Sequence, residues 1–179
     1  MPKLISEETK YEGPRFNVVQ RIYEDEKTNK KYVRDSVELL PAAMILPITD
    51  NNEVVFIKQF REVVGKETME LPAGIIEVGE EPIIAAKREL EEETGLIAGT
   101  IEPLTEVFSS CGYSNEKLYM YYAKDLSLGQ KRLDDDEHIG EIVKIPMEEC
   151  IELVKKNYFE HANQNVCLMQ YYLKYVANK

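Results

Sequence analysis

Hydrophobic and polar positions alternate along much of the chain in short runs that predict β-strands. These runs are rich in β-branched and aromatic residues, and polar turn residues separate them. The predicted strands cover residues 16–23, 31–38, 42–48, 53–60, 102–109, 117–124 and 141–145. A polar turn joins the first two strands into a predicted hairpin, and the third and fourth are predicted to pair antiparallel. Residues 1–15, with a break at Gly13-Pro14, are predicted to be irregular.

Three later segments show the period of an amphipathic helix. In residues 82–94 an apolar stripe recurs at steps of three and four, at Ile83, Ala86, Leu90 and Thr94. Pro82 suits the first turn of this helix, and Gly95 suits the left-handed residue that ends it. Two C-terminal helices are predicted over residues 146–156 and 162–177.

This order of elements predicts an α/β sandwich, because strands are interrupted by one central helix and followed by helices. At 179 residues, the chain has room for one main domain, which we place at residues 41–179. Residues 1–40 are predicted as a strand and hairpin segment rather than an independent domain. A two-stranded hairpin is marginal in water, so it needs a surface to pack on, in its own domain or a second subunit.

Composition and charge narrow the classes of function. The net charge of −11 argues against nonspecific nucleic-acid binding, which needs a basic surface. It leaves room for a small anionic ligand, because local arginines and metal ions can invert the field at one site. No signal peptide or spanning segment is predicted, and three widely spaced cysteines indicate neither a disulfide framework nor a zinc site. A reducing cytoplasm is therefore the expected compartment.

Three glutamates of the central predicted helix are candidates for metal binding. Glu89, Glu92 and Glu93 lie three and four residues apart, so they share a face of the helix. Their mutual repulsion would become attraction around a divalent cation, and Mg²⁺ prefers such hard oxygen ligands. The alternative is a solvated acidic face, which is the commoner role of a charge run.

These glutamates belong to a longer motif that begins at Gly74. A glutamate follows the glycine after five residues, and after seven more comes Arg-Glu-Leu-x-Glu-Glu-x-Gly-Leu, from Arg88 to Leu96. This pattern resembles the box of the Nudix hydrolases, which cleave a nucleoside diphosphate linked to another moiety. The resemblance implies a Nudix-type α/β/α sandwich with a mixed β-sheet, plus an N-terminal β-hairpin.

The resemblance also implies Mg²⁺ as the cofactor, with Mn²⁺ as a substitute. Its direct ligands would be Glu89 and Glu93, the latter also catalytic, and Glu92 would bind directly or through water. The carbonyl of Ala73, just before the box glycine, matches a backbone ligand of the family.

Other residues have implied supporting or catalytic roles. Arg88 would orient a glutamate, with Glu80 as the structural candidate, while Gly74 and Gly95 shape the two ends of the box. The general base is expected in the acidic loop 134–137. Glu137 is the first candidate, as base or additional metal ligand, and Asp135 is the second. A solvated acidic loop is the alternative.

The residues around the box are similar to the ADP-ribose pyrophosphatase branch of the family. The similarity lies in Gln59-Phe60-Arg61, in the Glu70-Leu-Pro-Ala-Gly segment, and in the loop from Ser110 to Glu116. In that loop Cys111 stands where the branch usually has proline. The branch implies that Arg61 and Glu116 hold the phosphate or ribose of the substrate. Arg34 matches a position that often contacts substrate, although an exposed strand charge is an equal alternative.

The implied reaction is hydrolysis of ADP-ribose or a related ADP-sugar to AMP and ribose 5-phosphate. A homodimer is implied too, because in this branch the N-terminal segment exchanges between subunits. The alternatives are another Nudix substrate, such as GDP-mannose or a dinucleotide polyphosphate, and a Nudix-fold ligand sensor without catalysis. A sensor should have lost carboxylates from the box, and this chain retains them.

Overall fold

A computed structural model of the chain describes residues 1–132 and 139–177. Its strands are β1 Lys3–Glu12, β2 Asn17–Glu24, β3 Lys31–Glu38, β4 Ala42–Pro47, β5 Glu53–Arg61, β6 Lys66–Glu70, β7 Ala73–Ile75, β8 Leu96–Phe108, β9 Lys117–Leu128 and β10 Ile139–Pro146. Its helices are α1 Pro82–Thr94, α2 Met147–Lys155 and α3 Ala162–Tyr175. All predicted strands and helices are present, and α1 has its predicted bounds. The prediction missed β1, β6 and β7.

The first of two compact units comprises residues 1–41 and 108–117. Its strands β1, β2 and β3 form an antiparallel sheet in that order. The predicted irregularity of residues 1–15 was wrong, because β1 pairs with β2 through its backbone although every residue of β1 is exposed. Arg21 of β2 strengthens the sheet, since its guanidinium binds Glu7 of β1 and Glu38 of β3.

The second unit comprises residues 42–107 and 118 onward, and it contains two sheets. One has the order β7-β4-β9-β8, in which β4 runs antiparallel to β7 and parallel to β9. The other has the order β10-β5-β6. The predicted pairing of β4 with β5 was wrong beyond one isolated bridge, Ile48 to Val54. The reason is that β4 is buried throughout and forms the centre of its own sheet.

The side chains of β4 alternate between two hydrophobic clusters on the faces of its sheet. Ala43 and Ile45 pack with α1 residues, and Met44 and Leu46 pack with residues of α2 and α3. A mixed sheet therefore lies between helices, which confirms the predicted α/β sandwich. Cys150 and Cys167 lie in the cluster that contains Met44 and Leu46.

Within the described ranges, the helices are too short or too polar to cross a membrane.

Candidate active site

Local signals fix the ends of α1, which carries the candidate ligands. Pro82 lies in its first turn, where a missing N–H has no intrahelical partner. Gly95 ends the helix with φ 70°, a left-handed conformation that glycine adopts without steric cost. The Gly95 N–H donates to the carbonyl of Glu91 at 2.8 Å. The register of the glutamates on the helix follows from these two ends.

Two of the three candidate ligands are buried. Glu89 is 6% exposed and Glu93 is 2% exposed, whereas the side chain of Glu92 is 36% exposed. Burying a carboxylate is unfavourable unless other groups stabilise its charge. A solvated acidic face is therefore excluded for Glu89 and Glu93.

The backbone of β7 binds the carboxylate of Glu93. The Ala73 N–H donates to Glu93 Oε2 at 3.0 Å. Ala73, in turn, pairs with Met44 of the central strand. The structure thus places the residue Ala73, whose carbonyl is the predicted backbone ligand, beside Glu93 on a strand that the sheet fixes.

Gly74 makes room for the second buried carboxylate. A Cβ at this position would overlap the Cδ and both oxygens of Glu89. The glycine that opens the box is therefore needed for the close approach of Glu89 to β7. Sequence reasoning placed Gly74 in the motif, and the structure supplies the steric reason for its identity.

Arg88 connects the carboxylates of the box. Its Nε and Nη2 donate to the two oxygens of Glu80 at 3.0 and 3.1 Å, and Nη2 also donates to the Ile75 carbonyl at 2.9 Å. Its Nη1 donates to Glu89 at 2.6 Å and to Glu92 at 2.9 Å. These bonds, above all those to Glu80, raise the pKa of Arg88 above its ordinary value. The guanidinium stabilises the carboxylate charges and restricts their rotamers.

The ion pair between Arg88 and Glu80 predicts that the protein loses stability in acid. The hydrogen bond from Arg88 lowers the pKa of Glu80 below its ordinary value of 4.5. A group with a lowered folded pKa stabilises the protein above its unfolded pKa, and this stability is lost as pH falls through the folded value. We expect the Tm measured with chelator to fall as pH drops from 4.5, and Glu80→Gln to flatten part of this dependence. Thermal unfolding across acidic buffers, with Glu12→Gln on exposed β1 as control, measures it. If Tm depends on pH in Glu80→Gln as steeply as in the wild type, the ion pair does not have this role.

The site fits a hard divalent cation, although within residues 1–132 and 139–177 no three His, Cys, Asp or Glu residues form a ready-made metal cluster. Its ligand atoms would be carboxylate oxygens, which Mg²⁺ prefers, with the carbonyl of Ala73 as the predicted backbone ligand. Gly74 leaves the room that the Glu89 carboxylate occupies, and any larger residue would collide with that carboxylate. Arg88 already bridges Glu89 and Glu92, so part of the site is arranged around a positive group.

Arg61, a predicted substrate ligand, forms an ion pair that sequence reasoning missed. Its Nε and Nη2 donate to Glu70 at 2.8 and 2.6 Å. Glu70 is buried, and Thr68 Oγ1 also donates to it at 2.5 Å. Burial raises the pKa of Glu70, but the bonds from Arg61 and Thr68 outweigh it and the pKa lies below its ordinary value. The only sequence signal was the position of both residues beside the box.

The other predicted substrate ligands, Arg34 and Glu116, lie in the first unit. Arg34 is exposed on β3, with its guanidinium 4.7 Å from the ring centre of Tyr32. The Glu116 N–H donates to Ser114 Oγ at 3.1 Å. Ser114 pairs with Val37 of β3, so the loop and the strand belong to the same unit.

The predicted general bases, Glu137 and Asp135, lie outside the described residues. Their assignment therefore stays a prediction from the sequence.

Comparisons with known proteins agree with the motif. The profile of the NUDIX domain matches residues 38–165. The ADP-ribose pyrophosphatase of Bacillus subtilis (strain 168) is 36% identical over 157 residues, which cover 86% of this chain and 83% of that protein. The methanol dehydrogenase activator of Bacillus methanolicus is 33% identical over 140 residues, 77% of this chain and 75% of that protein.

A solved structure described as an ADP compounds hydrolase matches with a TM-score of 0.84. The match covers 94% of this chain and 91% of that one at 24% identity, and at this identity it supports the fold alone. The domain profile covers most of the chain and includes the box that holds Glu89 and Glu93. The chain therefore belongs to the Nudix hydrolase family.

Proposed function

We propose that this protein hydrolyses the pyrophosphate bond of ADP-ribose or a related ADP-sugar, giving AMP and ribose 5-phosphate from ADP-ribose. The observation that carries the proposal is the pair of buried carboxylates, Glu89 and Glu93, held against β7 beside the Gly74 space. The similarity to an ADP-ribose pyrophosphatase over 86% of the chain supports the substrate class.

The residues that would hold Mg²⁺, or Mn²⁺ in its place, are Glu89, Glu93, Glu92 and the Ala73 carbonyl. When bound, a divalent cation neutralises phosphate charge and lowers the pKa of a water ligand. The chain's own part is to hold these oxygens in place. Arg88 and Glu80 do so through the bonds described above, and Gly74 leaves the space that Glu89 needs.

In the reaction a water oxygen forms a bond to one phosphorus, and the bond from that phosphorus to the bridging oxygen breaks. The bridging oxygen leaves on the other phosphate with the electron pair. A general base takes the proton of the water, and Glu137 is our first candidate, with Asp135 second. Their place in an acidic run of the sequence after the box supports this role.

We assign Arg61, Arg34 and Glu116 to the substrate. Guanidinium groups can bind phosphate oxygens with two parallel hydrogen bonds, which makes Arg61 and Arg34 suitable ligands for the phosphates of the substrate. The Ser110–Glu116 loop would contribute Glu116, and Cys111 is exposed within it. Because Cys111 stands where the branch usually has proline, no ring fixes the φ angle at this position.

We further propose a homodimer that forms through residues 1–40. This segment exposes several large apolar side chains, namely Leu4, Ile5, Tyr11, Phe16 and Val33. An interface with a second subunit would remove these exposed side chains from water. We also propose a reducing cytoplasmic location, which the three free thiols support.

A substrate panel tests the proposed reaction. We expect the purified protein with Mg²⁺ to convert ADP-ribose to AMP and ribose 5-phosphate faster than it hydrolyses GDP-mannose or dinucleotide polyphosphates. Excess chelator should abolish the activity, and added Mg²⁺ or Mn²⁺ should restore it. Products separated by chromatography decide between the substrates. Preference for GDP-mannose or a dinucleotide would overturn the substrate class, and no turnover of any compound would favour a sensor.

A further inference from the structure

The ion pair joins Arg61, the last residue of β5, to Glu70, the last residue of β6, although the antiparallel register pairs Arg61 with Lys66 and Glu70 with Ile57. We infer that Glu70 is a positioning residue, which holds Arg61 so that its outward N–H groups bind a phosphate oxygen of the nucleoside diphosphate near Glu93. The inference rests on the proposed function, because it assigns a partner to a residue that would touch the substrate.

The two members of the pair differ in exposure. The side chain of Glu70 is 8% exposed, whereas that of Arg61 is 40% exposed. Glu70 accepts bonds from Nε and Nη2 of Arg61, and a guanidinium carries five N–H donors. The buried carboxylate thus fixes one edge of the guanidinium, and the half-exposed arginine keeps N–H donors that Glu70 does not bind.

Further groups fix the carboxylate of Glu70 itself. Thr68 Oγ1 donates to its Oε1 at 2.5 Å, and His161 Nε2 lies 3.4 Å from the same oxygen. The Thr68 hydroxyl also lies 3.3 Å from the carbonyl of Gln59. A carboxylate with this many partners has little rotamer freedom, so it can set the direction of the arginine it binds.

The same backbone segment connects Glu70 to the candidate metal ligands. The Leu71 N–H donates to the buried Gln164 Oε1 at 2.9 Å, and the Ala73 N–H donates to Glu93 at 3.0 Å. Glu70 therefore begins a short segment that is bonded at both of these points. This segment supplies the Glu70 carboxylate that binds Arg61, and its Ala73 N–H contacts the Glu93 carboxylate that would bind the cation.

Electrostatics also connect Arg61 with Glu93, one of the candidate metal ligands. The hydrogen bond to Glu70 is the main cause that raises the pKa of Arg61, and the charge of Glu93 adds to it. A guanidinium near a metal site is well placed for a phosphate that bridges to the metal, because both positive groups attract its oxygens.

The experiment measures binding of the non-hydrolysable α,β-methylene analogue of ADP-ribose by calorimetry with Mg²⁺. Glu70→Gln replaces one acceptor oxygen with a donor and loses one of the two bonds to Arg61. We expect the Kd to rise about tenfold, which corresponds to about 1.4 kcal/mol. We expect kcat at saturating ADP-ribose to stay within about twofold while KM rises with the Kd.

A double-mutant cycle separates positioning from a merely structural role. The Arg61→Lys variant lacks the guanidinium that makes two bonds to Glu70. Adding Glu70→Gln to this variant should therefore weaken binding of the analogue by less than about twofold. Thr68→Ser should bind like the wild type, and Thr68→Val should weaken binding. Glu152→Gln, which breaks an exposed pair with Lys155 on α2, is the control and should bind normally. Equal losses from Glu70→Gln in both backgrounds, or a lower Tm with unchanged Kd, would overturn the inference.

The two readouts distinguish this inference from the proposed function. A wild type that binds the analogue but does not hydrolyse ADP-ribose refutes the function, and the binding cycle still decides on Glu70. A wild type that hydrolyses ADP-ribose while Glu70→Gln binds normally refutes the positioning role alone. A wild type that neither binds nor hydrolyses overturns both.

Discussion

Glu93→Gln is expected to lower kcat for ADP-ribose by on the order of 100-fold or more, with little change in Tm. The substitution removes the negative charge of a candidate metal ligand that is only 2% exposed. The fold should tolerate the change, because the carboxamide oxygen can still accept the bond from the Ala73 N–H. Removing a buried charge also removes part of its desolvation cost. Initial rates over a Mg²⁺ titration and thermal unfolding measure the two effects.

Glu91→Gln is the matched control on the same helix. Glu91 occupies an undefined position of the box, and its Oε1 accepts a hydrogen bond from the Gln130 N–H at 3.2 Å. We expect its rate to stay within about threefold of the wild type, because this hydrogen bond is with Gln130 and not with a candidate metal ligand. Full activity of Glu93→Gln would refute its assignment as a metal ligand.

The course of α1 could be predicted from the sequence because its signals are local. Pro82 and Gly95 mark its ends, and the spacing of the glutamates fixes their common face. The burial of Glu89 and Glu93 could not be predicted in this way. It depends on β7, a three-residue strand that contains Gly74 and has no periodicity to detect. The motif predicts that these glutamates bind a metal, and only the packing against β7 shows that Glu89 and Glu93 are not a solvated face.

The pair of Arg61 and Glu70 shows a second limit. The two residues lie on neighbouring strands, but neither is the register partner of the other, and only their side chains meet. Strand β6 also lies in a polar segment that predicts no strand. Charged residues on both sides of a turn have many possible partners, so the sequence does not select this one. Exposed β1 escaped prediction for a related reason, since backbone pairing rather than side-chain burial holds it in place.

Gly74→Ala is expected to weaken Mg²⁺ activation and to reduce kcat by on the order of tenfold to 100-fold. The added methyl would overlap the carboxylate of Glu89, which is buried and has little room to move. Glu89 would have to adopt another rotamer, and its bond to Arg88 Nη1 would be lost or lengthened. The Mg²⁺ concentration that gives half-maximal rate, and direct Mn²⁺ binding measured by electron paramagnetic resonance, report the loss.

Gly140→Ala controls for the general effect of adding a methyl group, because a Cβ there meets only ordinary contacts of 3.6 Å and longer. Gly74→Ala should differ from it in Mn²⁺ affinity while both retain a cooperative unfolding transition. The added methyl acts through one carboxylate, so Glu89→Gln in the Gly74→Ala background should cost little further Mn²⁺ affinity. Additive losses in the double variant, or normal Mn²⁺ binding in Gly74→Ala, would show that the space at Gly74 does not serve the cation site. A non-additive loss would mean that the glycine, the glutamate and the cation act as one unit.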